Sequence, residues 1–139
     1  SCIVHESFSE EALLKLKYQN PGAKVIAHPE CSQNLLLLSD FIGSTSKLPD
    51  FVTKDPSNTY MVLTEPGIIH QMKKIEPEKN FIEVPDVEGC KCNECPYMKL
   101  NTLEKILDCL KNNSPNIKLE PEIIRKAYKP IKRMLDMSN

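Results

Sequence analysis

Short blocks of β-branched and aliphatic residues alternate with stretches of helical period along the first part of the chain. Over residues 9–19, Ala12, Leu13 and Leu16 fall on one side, which predicts a helix. Ser7 and Glu10 have the spacing of a capping box at its start, and Asn20-Pro21-Gly22 ends it. Lys24-Val25-Ile26-Ala27 predicts a buried strand that runs into His28-Pro29-Glu30-Cys31. A second helix over 33–38 leads to a brief strand at Phe41-Ile42 and then to Gly43-Ser44-Thr45. A third strand over 59–63 ends in Thr64-Glu65-Pro66-Gly67, with a helix over 68–74 behind it, and a fourth strand covers 81–84. Helices between short apolar strands predict an α/β fold: a three-layer αβα domain with a four-stranded parallel sheet.

Beyond Pro85 the pattern changes. Residues 86–95 are polar, turn-like and rich in cysteine. Asn101, with Glu104 three residues on, predicts the start of a helix whose stripe is Leu103, Ile106, Leu107 and Leu110. A linker over 112–116 leads to a last helix from Pro121 with Ile123, Ile124, Ala127, Tyr128, Ile131 and Leu135 on its inward side. Pro130 lies inside that pattern and is expected to kink or divide it. These two helices have no strand of their own, so their apolar faces are expected to pack on something outside the chain.

Composition narrows the classes. The 139 residues are 40% hydrophobic and 27% charged, as in a soluble globular domain. Leu35–Leu38 is only four residues long, and no apolar run approaches the ~20 that cross a bilayer. A formal net charge of −1 supplies no positive field for a polyanion, which argues against nucleic acid as a partner. The basic residues Arg125, Lys126, Lys129, Lys132 and Arg133 read as a solvated helix face, with a phosphate or anion patch as the alternative. The opening Ser-Cys-Ile-Val-His-Glu lacks the basic start and apolar stretch of an export signal and reads as the middle of a protein. The expectation is a reducing setting and a chain lacking its N-terminal part.

The six cysteines then change the picture. Cys90, Cys92 and Cys95 fall together, and soft thiolates at such spacing suit an iron–sulfur cluster, zinc or copper(I) better than a disulfide framework. Cys95-Pro96 ends the run as bacterial-type cluster loops end. A fourth ligand would come from Cys2, Cys31 or a histidine; a redox dithiol is the competing reading. Cys109, on a helical stripe, reads as a packing thiol. His5, His28 and Glu30 are the acid–base candidates, because histidine titrates near neutrality and a glutamate in a dry pocket can do so. Gly43-Ser44-Thr45-Ser46 could cradle a phosphate or carboxylate, although it lacks the spacing of a P-loop. Polar residues collect where strands end (His28 and Glu30, Ser44 and Thr45, Thr64 and Glu65), as ligand sites do in open α/β sheets.

Taken in order, Cys-Ile-Val-His-Glu at 2–6, His-Pro-Glu-Cys at 28–31, Gly-Ser-Thr at 43–45, Thr-Glu-Pro-Gly at 64–67 and Cys-Asn-Glu-Cys-Pro-Tyr-Met-Lys-Leu-Asn-Thr-Leu at 92–103 resemble the quinolinate synthase family. The resemblance runs over the whole chain and corresponds to roughly the C-terminal half of such an enzyme. It implies three similar αβα domains around a 4Fe–4S cluster with pseudo-threefold symmetry. Residues 1–88 would be the third domain, and 89–139 a cluster-ligand loop with helices returning to the first. It implies a cluster-dependent condensation of iminoaspartate with dihydroxyacetone phosphate to quinolinate, phosphate and water, on the route to NAD. Cys2 and Cys95 would be two of three cluster ligands, the third lying outside this chain. Cys90 and Cys92 would be bystanders or a redox dithiol. His5 and Glu30 would be catalytic, and His5, His28, Glu30, Ser44, Thr45 and Met98 would line the substrate site. The implied partners are the two substrates, the missing N-terminal part and L-aspartate oxidase as imine supplier, with no nucleic acid and no membrane. The implied location is cytoplasmic, or plastid in a photosynthetic eukaryote, and the chain alone is expected to be inactive. The rival readings are a non-catalytic metal module on Cys2, Cys90, Cys92 and Cys95, and a phosphate-binding regulatory domain.

Overall fold

A computed structural model describes residues 2–89 and 93–138. Two compact units emerge, residues 1–100 and 101–139. In the first unit the order is α1 (Ile3–Glu6), α2 (Glu10–Gln19), β1 (Lys24–Ala27), α3 (Gln33–Leu37), β2 (Phe41–Ile42), α4 (Lys47–Lys54), β3 (Thr59–Leu63), α5 (Gly67–Ile75) and β4 (Asn80–Glu83). A short 3-10 turn over Met98–Leu100 closes it.

The four strands form one parallel sheet in the order β2-β1-β3-β4, as the pattern of short apolar blocks predicts. Side chains of a strand alternate between faces, and the core divides accordingly. Val25, Ala27, Met61 and Leu63 pack with Val4, Leu13 and Leu35 from α1, α2 and α3 on one face. Ile26, Tyr60, Val62 and Phe81 pack with Leu48, Val52, Ile69 and Met72 from α4 and α5 on the other. Burying each such aliphatic side chain contributes roughly 1.5–3 kcal/mol, so the helix layers, more than the short ladders, hold the sheet together. The edge strand β2 is lengthened by a side chain: Asp40 Oδ2 accepts from the Val25 N–H at 2.7 Å, and the Asp40 N–H donates to the Val25 carbonyl at 2.8 Å.

Helix α2 starts one residue later than its apolar pattern suggests. Ser9, not Ser7, caps it, accepting from the Ala12 N–H at 3.2 Å, while Ser7 ends α1. Helix α4 has no counterpart in the sequence reading. Pro49 discourages a helix there, yet it falls in the first turn, where an N–H has no helical acceptor and its loss costs no bond.

The second unit holds α6 (Leu103–Asn112) and α7 (Pro121–Met137). Thr102, not Asn101, caps α6, accepting from the Lys105 N–H at 3.3 Å. Pro130 does not divide α7, which is a single helix of 17 residues. The proline removes one N–H from the ladder, and the turns on either side keep theirs. Neither helix has a buried residue. No helix among the described residues is long and apolar enough to cross a membrane.

Candidate active site

A parallel sheet in the order β2-β1-β3-β4 has its topological switch between β1 and β3, where the chain leaves β1 for one edge and returns on the other side. A crevice opens beyond the carboxyl ends of those two strands. Three segments meet there: the turn of α1, the turn after β1 and the end of β3.

The first segment is a single helical turn. The Cys2 carbonyl accepts from the N–H groups of His5 (3.0 Å) and Glu6 (3.1 Å), so Cys2 and His5, three apart, share one side of the turn. That turn is tied to the end of the sheet. Ser9 N–H donates to the Pro85 carbonyl at 3.0 Å, and Val87 N–H donates to the Ser7 carbonyl at 2.9 Å.

The second segment is the turn His28-Pro29-Glu30-Cys31. His28 N–H donates to the Leu63 carbonyl at 3.0 Å, and Cys31 N–H returns to the His28 carbonyl at 3.0 Å. The Glu30 N–H donates to His28 Nδ1 at 3.3 Å, which requires that nitrogen to be unprotonated. The His28 pKa is lowered, by burial first and the neighbouring His5 second, with Glu30 opposing both. The Cys31 thiol is buried and donates to the Leu63 carbonyl at 3.4 Å; burial pushes its pKa up to about 11. It is a buried member of the core cluster that also holds Val25, Leu35 and Leu63.

His5 joins the segments. Its ring is 4.0 Å from that of His28 with 8° between the planes. Nδ1 lies 3.3 Å from Glu30 Oε2, and Nε2 lies 3.1 Å from the hydroxyl of Thr64 at the end of β3. His5 and Thr64 are buried, whereas the Glu30 side chain is 49% exposed and so open to a bound molecule. Ligand atoms of Cys2, His5 and Glu30 lie within 4.8 Å of one another, a sulfur, a nitrogen and an oxygen able to hold a metal ion.

The cysteine loop approaches from another direction. Cys2 and Cys95 are both half-buried against the same core cluster. Asn93 is buried between the segments that carry them. Its Oδ1 accepts from the Ser7 hydroxyl at 3.2 Å, and its Nδ2 donates to the Val84 carbonyl at 3.2 Å. A cleft of about 240 Å³ is lined by Ile3, Val4 and Ser7 on one side and by Asn93, Glu94 and Pro96 on the other. Asn93 and Thr64 are the two polar residues sequence reasoning passed over as site members. Thr64 was visible only as one of several strand-end polar residues, and Asn93 carried no signal beyond its place beside cysteines.

Cys2, His5, His28 and Glu30 thus come together. Ser44 and Thr45 stand at the same end of the sheet, after β2, with the Gly43 N–H bonded to the Ala27 carbonyl at 3.0 Å. Both are exposed, and Ser44 Oγ pairs with Ser46 Oγ at 3.0 Å. Met98 is half exposed in the 3-10 turn, and Cys109 is exposed on α6. Cys90 and Cys92 lie outside the described residues.

Residues 1–136 match the family described as "Quinolinate synthetase A protein". The protein named quinolinate synthase from Prochlorococcus marinus strain MIT 9313 is 60% identical over 136 residues, 98% of this chain and 41% of the relative. The protein of that name from Microcystis aeruginosa is 52% identical over 138 residues, 99% of this chain and 43% of the relative. That from Cyanophora paradoxa is 52% identical over 139 residues, all of this chain and 42% of the relative. The chain spans about two fifths of the length of the relatives it matches. A histidine clasped between a glutamate and a threonine beside a half-buried cysteine is thus set in a sequence matched almost end to end, and the chain belongs to the quinolinate synthetase A family.

Proposed function

We propose that this chain is the part of a quinolinate synthase that carries the acid–base groups and two ligands of its 4Fe–4S cluster. The complete enzyme condenses iminoaspartate with dihydroxyacetone phosphate, releasing quinolinate, phosphate and water. The observation that carries this reading is the pairing of His5 with Glu30 at the switch point, beside Cys2. In place of a C-x-x-C pair, the reading takes Cys2 and Cys95 as ligands, supported by their half-buried places on one core cluster. A third cysteine comes from outside this chain. When bound, such a cluster supplies an iron without a protein ligand, which can act as a Lewis acid toward substrate.

The chain's own residues do the rest. Glu30, half exposed, exchanges protons with the substrate carbon and oxygen during tautomerisation and dehydration. His5, buried behind it, balances that charge through Nδ1. His28 covers one face of the His5 ring and keeps water from it. The exposed hydroxyls of Ser44 and Thr45 hold a substrate carboxylate or phosphate, and Met98 lines the cluster side. Cys90 and Cys92 are bystanders to the cluster or a redox dithiol. In this reading residues 1–88 form the third of three αβα domains in a pseudo-threefold enzyme, and residues 89–139 return to the first. The enzyme works in the cytoplasm, or in a plastid, with L-aspartate oxidase supplying the imine. The isolated chain does not turn over.

Substitution in the complete enzyme tests this. Glu30→Gln should keep the iron content and visible absorbance of the cluster while lowering turnover about 100-fold or more. Cys2→Ser or Cys95→Ser should lose the cluster, whereas Cys90→Ser should keep it. Native turnover in Glu30→Gln, or one colourless zinc in place of iron, would sink the reading.

A further inference from the structure

We propose that Asn93 is a positioning residue for the metal centre: its buried amide holds the loop that carries Cys95 against the helical turn that starts at Cys2. The role toward the cluster rests on the reading above, in which both cysteines are ligands. Cys2 and Ser7 are the two ends of α1, with the Ser7 N–H bonded to the Ile3 carbonyl at 3.2 Å, so whatever holds Ser7 holds the turn under Cys2. On the other side, Cys95 follows Asn93 by two residues. Packing between the two segments is incomplete, because the cleft of about 240 Å³ that both line stays open beside them. The Glu94–Lys99 ion pair at 3.2 Å is exposed and stays within the loop. Asn93, by contrast, is 7% exposed and reaches both α1 and the end of the sheet.

Its two bonds are not interchangeable. A carbonyl can only accept, so Val84, the residue after β4, fixes which way the amide faces: Nδ2 toward Val84 at 3.2 Å and Oδ1 toward Ser7. Val84 is itself tied to the sheet, its N–H donating to the Val62 carbonyl at 3.4 Å. The Ser7 hydroxyl has one proton for two acceptors, the Val4 carbonyl at 2.9 Å and Asn93 Oδ1 at 3.2 Å. Turning the amide over would leave that proton to Val4 but set Oδ1 against the Val84 carbonyl, acceptor to acceptor. An aspartate at this position meets the same conflict, and a leucine of similar outline makes neither bond. Loss of buried partners of this kind shifts a local opening equilibrium roughly 10-fold or more. Cys95 is only half-buried at the margin of its core cluster, so the loop can part from α1 while the sheet and its helices stay folded.

The test compares Asn93→Leu, Asn93→Asp and Ser7→Ala in the complete enzyme, with Asn93→Ala replacing the leucine variant if that one does not fold. In cluster-free protein, alkylation by iodoacetamide is followed peptide by peptide by mass. Cys95 should react roughly 10-fold or more faster in the leucine and aspartate variants, whereas Cys109 on α6 should keep its native rate. The midpoint of denaturant unfolding should stay native. Ser7→Ala, which removes only the shared proton, should speed Cys95 by about threefold and add nothing further to Asn93→Leu. In cluster-loaded enzyme, transfer of iron to a chelator should quicken roughly 10-fold or more in the same two Asn93 variants. Native Cys95 rates in both would overturn the proposal. Equal acceleration at Cys95 and Cys109 with a lowered midpoint would overturn it as well, as the mark of a general loss of stability, and so would native iron release beside fast Cys95 labelling. If Cys95→Ser kept the cluster, the ligand reading would fail, while the alkylation rates still judged whether Asn93 holds the loop.

Discussion

Polar residues of opposite purpose sit at the two ends of the sheet. At the carboxyl end, a half-exposed Glu30 stands against the buried His5. At the amino end, Asp55 accepts from the Tyr60 hydroxyl at 2.9 Å and pairs with Lys24, and its side chain is 9% exposed. Lys79 closes that network, donating to the carbonyls of Val52 (2.6 Å) and Asp55 (2.8 Å). The Lys24 bond, followed by those from Ser57 and Tyr60, holds the Asp55 carboxyl well below the usual carboxylate range, although burial opposes it. A carboxyl depressed in the folded state adds stability that is complete above its unfolded value, ~3.9, and is lost as pH falls from there through the folded value. Asp55→Asn should therefore lower the thermal midpoint at pH 7 and make it fall less steeply below about pH 4 than in the native chain. Parallel slopes for the two proteins in thermal scans from pH 7 to pH 2 would contradict this.

At the scale of elements, junctions decide where the chemistry stands. Gly43 lies between β2 and α4, where a Cβ would meet the Phe41 ring at 2.8 Å and the Lys47 Cβ at 3.0 Å. Phe41 in turn stacks on Phe51 of α4 at 4.1 Å, so the ring cannot simply swing away. Gly43→Ala should cost about 1–3 kcal/mol in denaturant unfolding, displacing the adjoining Ser44 and Thr45; an unchanged midpoint would show that the ring yields. The element reading of the sequence succeeded where period and punctuation agreed, as at Val25–Ala27 and Thr59–Leu63. It missed α4 because Pro49 looks the same in a helix's first turn as in a loop. It placed two caps wrongly, at Ser7 and Asn101, because neighbouring residues could cap equally well and only backbone geometry chose Ser9 and Thr102.

At the scale of the whole molecule, the two units differ in what they bury. The first has two apolar layers around its sheet. In the second, Ile106, Leu107, Ile124 and Ile131 stay about half exposed on strongly one-sided helices. If those stripes meet the rest of a complete enzyme, amides of α6 and α7 should exchange with solvent at least 10-fold more slowly there than in the isolated chain. Equal rates would refute the return of these helices to another domain. The parallel sheet, its two-faced core, the strand-end position of the polar motifs and the family were all legible along the chain, because alternation and local spacing are properties of neighbouring residues. Partnership was not. His5 and Glu30 are 25 residues apart, His5 and Thr64 59, and Ser7 and Asn93 86. Nothing local relates them, since crossover connections and strand order bring them together. The sequence by itself determined which groups could act as acids, bases and ligands; the tertiary structure decided which of them meet, that Cys31 is buried in the core, and that Thr64 stands behind His5.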